Sequence, residues 1–196
     1  MKLGRRYNQT HRAQKAATTG DRILNEAERL FSTRLFDRVS LAEVAQAANV
    51  TIPTIQRRFG NKDGLFAAVG ARVRTRIQSQ RGAPPMGDVH ACIVELVAHY
   101  ELEGRMVWHL LRQEADVPLL HAVLEEGRTT HRAWVENVFA PALKPLNAKA
   151  RRSLVDALIA VTDVFSWKLL RLDLGRSRGE VETFMNATAA AIAGGS

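Results

Sequence analysis

Apolar residues recur three and four positions apart along almost the whole chain, and no segment sustains the two-residue alternation of a half-buried strand. β-branched runs joined by Asn-Gly-type hairpin signals are missing as well. This periodicity restricts the chain to helix packed on helix, so the expected fold class is all-α. With 196 residues, 46% of them apolar, it can bury a sizeable core as one large domain or two small ones. The apolar stretches are short and broken by charges, which argues against a membrane span. Residues 1–20 are polar and basic, without the apolar stretch of a secretory signal. Cys92 is the only cysteine, so there is no internal disulfide to form and no partner thiol for zinc; a reducing cytoplasm is the expected setting.

The placement of charge says more than its sum of +8. Residues 1–81 hold 16 Lys and Arg against 6 Asp and Glu, whereas residues 82–196 hold 12 against 14. A cationic end on a nearly neutral body points to a polyanion bound by the N-terminal part, most naturally nucleic acid. A solubilising basic surface would look the same by charge alone.

Turn and cap signals divide the chain. Residues 1–20 read as a basic flexible leader, in which Lys2, Arg5, Arg6, Arg12 and Lys15 would act as a minor-groove arm or a loose tail. A first helix is expected at about Thr19–Ser32, capped by Thr18 with Asp21, with Ile23, Ala27, Leu30 and Phe31 on its buried face. Ser40-Leu-Ala-Glu43 has the residue types of a capping box and opens a short second helix with Val44, Ala45 and Ala48 inside. Asn49 suits the left-handed turn after it. Thr51 would cap a third helix with Pro53 in its first turn, Ile55 and Phe59 inside, and Gly60 as its stop. Asn61 would cap a fourth helix, about 62–81. The segment Gly82-Ala-Pro-Pro-Met-Gly87 is the clearest break. Five more helices are expected at about Asp88–Glu103, Arg105–Glu114, Pro118–Phe139, Ala148–Leu172 and Arg178–Ala193. There is no internal repeat.

Two short helices on a tight turn, the second with polar and basic residues opposite its apolar face, make a helix-turn-helix candidate. Ile52, Pro53, Thr54, Gln56, Arg57 and Arg58 can face a major groove, and the amides that open the third helix can meet a phosphate. Many helical proteins contain such a pair, so the pattern alone is only moderately specific.

The stretch from Gly20-Asp-Arg-Ile-Leu-Asn-Glu-Ala-Glu-Arg-Leu-Phe through Ser40-Leu-Ala-Glu-Val-Ala to Thr51-Ile-Pro-Thr-Ile-Gln-Arg-Arg-Phe-Gly-Asn-Lys-Asp-Gly-Leu resembles the DNA-binding domain of TetR-family regulators almost end to end. Ile23, Leu24, Ala27, Leu30, Phe31, Ser40, Val44, Ala45, Val50, Thr51, Phe59, Lys62 and Leu65 all stand where that pattern has them. The resemblance implies a three-helix helix-turn-helix domain over 21–66. It also implies a helical bundle over 67–196 for ligand binding and dimerisation, joined through the helix at about 62–81. It places Ser40 and Lys62 on phosphates, Thr51 at the head of the recognition helix, Thr54 and Gln56 in the groove, and Ile52 and Pro53 against thymine methyls. Arg57 and Arg58 would divide guanine and phosphate contacts. The chain departs from the pattern at Leu35 and Asn49, where glycines are usual, and at Gln56, where a tyrosine is usual. At Arg57 and Arg58 histidine or aromatic residues are common.

In the body, Leu158, Phe165 and Leu169 on one helix and Phe184, Thr188 and Ala191 on the next would form the dimer contact that the family uses. A palindromic operator would require it, since two heads must sit about 34 Å apart. Tyr100, Met106, Trp108, His109, His131, Trp134 and Trp167 are candidates to line a pocket for a small-molecule effector of unknown identity, and any one of them would serve equally as packing. Arg128 and Arg132 could clamp an acidic ligand or simply be solvated. The pairs His99/Glu103 and His121/Glu125 supply two metal ligands each and no third, so no metal and no cofactor is expected. No glycine loop or nucleophile elbow suggests catalysis, and Cys92 reads as inert core. The expected partners are therefore double-stranded DNA, a second copy of the chain and an effector, with no membrane and a place on the bacterial nucleoid. The alternatives are an activator or architectural protein without a ligand, or a helical small-molecule binder or enzyme.

Overall fold

The structure, a computed structural model, describes the backbone of residues 3–80 and 88–194 and the side chains of residues 17–76 and 88–194. The described residues form an all-α chain without strands, made of two compact units, Met1–Arg74 and Thr75–Ser196. The division falls inside a helix. The Gly-Pro segment 82–87, expected as the boundary, lies outside the described residues.

In the first unit, helix α1 runs from Leu3 to Thr33, so the backbone of most of the expected leader is helical. Nothing between Arg5 and Thr19 breaks a helix, and Thr18 and Asp21 stand mid-helix instead of capping its start. The side chains of Arg5, Arg6, Arg12 and Lys15, and all of Lys2, lie outside the described residues. A single 3-10 turn, Phe36–Arg38, leads to α2 (Leu41–Ala47), α3 (Ile52–Phe59) and α4 (Lys62–Gln80). Ile23, Ala27, Val44, Ile55 and Leu65 are buried together, and Phe31, Phe36 and Phe66 form a three-ring cluster with centroids 5.1 to 5.6 Å apart.

The turn between α2 and α3 closes as the residue types require. Asn49 has φ 50°, the Val50 amide donates to the Ala45 carbonyl at 2.9 Å, and the Asn49 amide donates to Gln46 at 3.2 Å. These are the two bonds of a Schellman cap, with asparagine in the glycine position. At the other corner Leu35 needs no glycine. Its φ of −58° and ψ of 139° are ordinary, and the 3-10 turn reverses the chain through bonds from the Arg38 and Val39 amides.

The second unit contains α5 (Val89–Leu111), α6 (Pro118–Val138), the short α7 (Ala140–Leu143), α8 (Ala148–Thr162), α9 (Val164–Lys168) and α10 (Arg178–Gly194). Two sequence expectations fail here. The break expected at Gly104 does not occur, because that glycine sits inside α5 where Trp167 presses on its backbone. The single helix expected over 148–172 is broken at Asp163, whose ψ of 158° is extended. The carboxylate of Asp163 accepts from the Phe165 amide at 2.9 Å, and Ser166 Oγ donates back to the Ala160 carbonyl at 2.6 Å, so both new helix ends are satisfied. The last turn then widens into a π-helix over Leu169–Asp173, and Gly175, with φ 66°, ends it.

Candidate nucleic-acid interface

Ser40 begins α2 with a complete capping box: its Oγ accepts from the Glu43 amide at 3.2 Å while its own amide donates to Glu43 Oε2 at 2.9 Å. Its hydroxyl also donates to Glu43 Oε2 at 2.8 Å, so the side chain is fully engaged as a cap. Glu43 in turn accepts from Arg34 Nη1 at 2.6 Å, and Arg34 Nη2 donates to the Arg38 carbonyl at 2.7 Å. These bonds, Arg34 first, hold the Glu43 carboxyl at about 2. Arg34 is a residue that the sequence reading missed. Its partner is nine positions away across the 3-10 corner, a distance that no helical spacing reveals.

The third helix buries Ile55 completely and leaves Thr51, Ile52, Pro53, Gln56, Arg57 and Arg58 exposed, with Thr54 half-buried. Thr51 stands at the N-cap position, but its hydroxyl bonds to the Thr54 hydroxyl at 3.0 Å and caps no amide. The amides that open α3 thus lack a side-chain cap, as an anion-binding helix end requires. Phe59 is half-buried, and Gly60, with φ 78°, ends the helix. Asn61 caps α4 through the Gly64 amide at 2.9 Å. Gly64 has no room for a side chain, since the Phe59 carbonyl stands where its Cβ would be.

Lys62 is half-buried. Its ammonium donates to the Phe36 carbonyl at 3.1 Å and sits 4.3 Å above the Phe36 ring. It therefore pins the 3-10 corner to the start of α4, and an ammonium has two further donors to offer outward. Arg58 leans toward Gly20 on α1, a contact with no signal in the sequence, since the two lie on different helices.

In the body, the residues proposed for a pocket do not all come together. Tyr100 donates to the Thr162 carbonyl at 3.0 Å, Thr162 Oγ1 donates to the Leu158 carbonyl at 2.7 Å, and His131 Nε2 lies 3.1 Å from that hydroxyl. Since the hydroxyl hydrogen is used on Leu158, Nε2 must carry the proton of the third bond. Trp134 stacks on His131, and Trp167 packs near Tyr100 with ring centroids 6.0 Å apart. Trp108 is elsewhere, edge-on to Phe165 and 4.6 Å beneath the Lys168 ammonium. Met106 and His109 are half-buried on α5.

Four further candidates find polar or charged partners inside the chain. Arg128 bonds Glu114 and Glu125, Arg132 bonds Asp156, Glu103 is taken by Arg76, and His121 Nδ1 lies 3.1 Å from Glu114. Each of the two arginines thus has a carboxylate partner within the chain itself. Burial, ahead of Glu95 and Asp88, pushes the Cys92 thiol up, which keeps it protonated. Of the dimer candidates, Leu158 is fully buried in the body's own core and has no surface to offer. Phe165, Leu169 and Phe184 are exposed by 53%, 51% and 47%, Ala191 is exposed and Thr188 is half-buried.

Residues 23–69 match the profile of the bacterial regulatory proteins of the tetR family. Three solved structures share the fold. A transcriptional regulator from Rhodococcus sp. Rha1 aligns with a TM-score of 0.67 at 18% identity, covering 90% of this chain and 96% of that one. A structure assigned to the TetR-family transcriptional regulators of Mesorhizobium loti MAFF303099 gives 0.65 at 18% identity, with 90% and 96% covered. A proposed fatty acid metabolism regulator from Clostridium perfringens gives 0.62 at 14% identity, with 89% and 98% covered. No curated protein sequence matches the chain. Among the described residues no helix is long and apolar enough to cross a membrane. The chain thus carries a TetR-family DNA-binding domain at residues 23–69, on the all-helical fold of TetR-type transcriptional regulators.

Proposed function

We propose that this chain is a dimeric, ligand-responsive repressor that binds a palindromic operator in the bacterial cytoplasm. The observation that carries the reading is α3: one buried residue, Ile55, anchors it, and Ile52, Pro53, Gln56 and Arg57 stand exposed on a head with a large cationic excess. Polar and basic side chains of this kind serve groove reading, while Ser40 and Lys62 lie at the two helix ends where phosphates would run. Exposed Phe165, Leu169 and Phe184 support the dimer, since a second copy would cover large apolar side chains that the body's own core leaves out. The effector would bind beside the Tyr100, His131, Trp134 and Trp167 group and change how far apart the two recognition helices are held.

The test is binding to DNA from upstream of the chain's own gene against a scrambled duplex, across a salt series. The reading requires the native fragment to win by about a thousandfold and log K to fall with log salt by about 0.9 per phosphate contacted. Thr54→Ala with Gln56→Ala should abolish the preference. Unchanged preference in that double variant would remove α3 as the reading surface, and equal binding to both duplexes would reduce the head to a non-specific anchor.

A further inference from the structure

The recognition helix ends in two adjacent arginines, and a helix sends adjacent side chains in different directions. At about 100° per residue, Arg57 leaves α3 roughly 160° from buried Ile55, on the outward side, whereas Arg58 leaves only about 60° from it. Arg58 therefore runs along the edge of the packed face, toward α1. There it meets Gly20, a buried residue in the middle of that helix. A Cβ built on Gly20 would lie 2.9 Å from Arg58 Nη1, so the guanidinium fills the space that any other side chain would claim. Glycine in a helix interior is disfavoured relative to alanine, and a seat for Arg58 is a reason for its presence there. Arg58 is not without a partner, whereas Arg57 makes no hydrogen bond or ion pair among the described residues.

We propose that Arg58 is a positioning residue, clipped onto the bare backbone of Gly20 to fix how α3 sits against α1, and that Arg57 is the arginine that reaches DNA. The second half rests on the DNA-binding reading above; the first does not. The clip explains how two neighbouring cations coexist on a short helix: one is used inside the head and the other projects from it. It also makes Gly20→Ala an informative change, because the group displaced is the far end of a flexible side chain and the fold need not move.

The experiment has two arms on the full chain. In the free protein, the Arg58 Nε–H should exchange with water about tenfold more slowly than that of Arg57, and Gly20→Ala should erase the difference. The second arm uses a duplex that the wild-type chain enriches from a randomised pool. Arg57→Ala should make the slope of log K against log salt shallower by about 0.9, the signature of one lost phosphate contact. Arg58→Ala should lower affinity by a similar factor at every salt concentration and leave the slope unchanged. Gly20→Ala should reproduce the Arg58→Ala pattern, and the double variant should be no worse than either single one. Equal exchange of the two arginines, or additive effects of Gly20→Ala and Arg58→Ala, would overturn the clip. A shallower slope for Arg58→Ala and none for Arg57→Ala would reverse the assignment. If the wild type enriches no duplex, the DNA-binding reading fails and Arg57's part falls with it, while the exchange data alone decide Arg58's.

Discussion

The six-membered ring of Trp167 rests against the backbone of Gly104: a Cβ there would lie 2.5 Å from Cζ3, 2.8 Å from Cη2 and 2.9 Å from Cε3. Trp167 is 1% exposed and its Nε1 donates to Glu101 at 2.9 Å, so the ring has no direction in which to retreat. Gly104→Ala should therefore destabilise the body by about 1–2 kcal/mol, overpacking outweighing the ~1 kcal/mol that alanine gains in a helix. Gly127→Ala is the control, because nothing stands within 4 Å of its Cβ position and only the helix preference should appear. Urea unfolding of the two variants should move in opposite directions.

The Glu43 carboxyl, held at about 2 against its usual 4.5, links the head's stability to acid. The unfolded chain takes up this proton at higher pH than the folded one. The stabilisation is thus complete above 4.5 and is lost as pH falls from there to about 2. Circular-dichroism melts in that window should show a steeper fall for the wild type than for Glu43→Gln. The variant should already be weakened at neutral pH, where it lacks the Arg34 pair. Parallel pH profiles would remove Glu43 as the source.

Thr162 connects three partners inside the body, and replacing it with the isosteric valine would strand one of them. Thr162→Val leaves the His131 Nε2–H without the hydroxyl, while the Leu158 carbonyl keeps its helix bond, and should cost about 1–3 kcal/mol. Tyr100→Phe removes a single bond to a carbonyl, and about 1 kcal/mol is expected. Chemical denaturation should rank them in that order.

Large apolar side chains outside the core separate association from folding. Phe165→Glu with Phe184→Glu should convert the proposed dimer to a monomer in light scattering while helicity is kept. Leu158→Ala, in the core, should lower stability by about 2–5 kcal/mol through a cavity. A wild type that is already monomeric at micromolar concentration would defeat the first expectation.

Local chemistry was legible in the sequence. The Ser40–Glu43 box, the left-handed Asn49 and the Asn61 cap each depend on residues close together in the chain, and each is present in the structure. Long-range reasons were not. Gly104 read as a helix breaker because its partner, Trp167, is 63 positions away, and the kink at Asp163 lay hidden in an unbroken apolar stripe. Arg57 and Arg58 look equivalent in sequence, and it is a glycine on another helix that distinguishes them. The charge asymmetry located the cationic end but could not say which cations were already paired, as Arg34 and Arg72 are.

Within the head, Ser40, Glu43, Arg34 and Lys62 are bound into the frame, while Ile52, Pro53, Gln56 and Arg57 hang outside it. A mutation in the second group therefore leaves the frame's own bonds standing. Such a head is easily retargeted: duplicated copies can drift toward new operators one exposed side chain at a time, without passing through an unfolded ancestor. A library randomised at 52, 53, 56 and 57 should yield folded variants at nearly every combination.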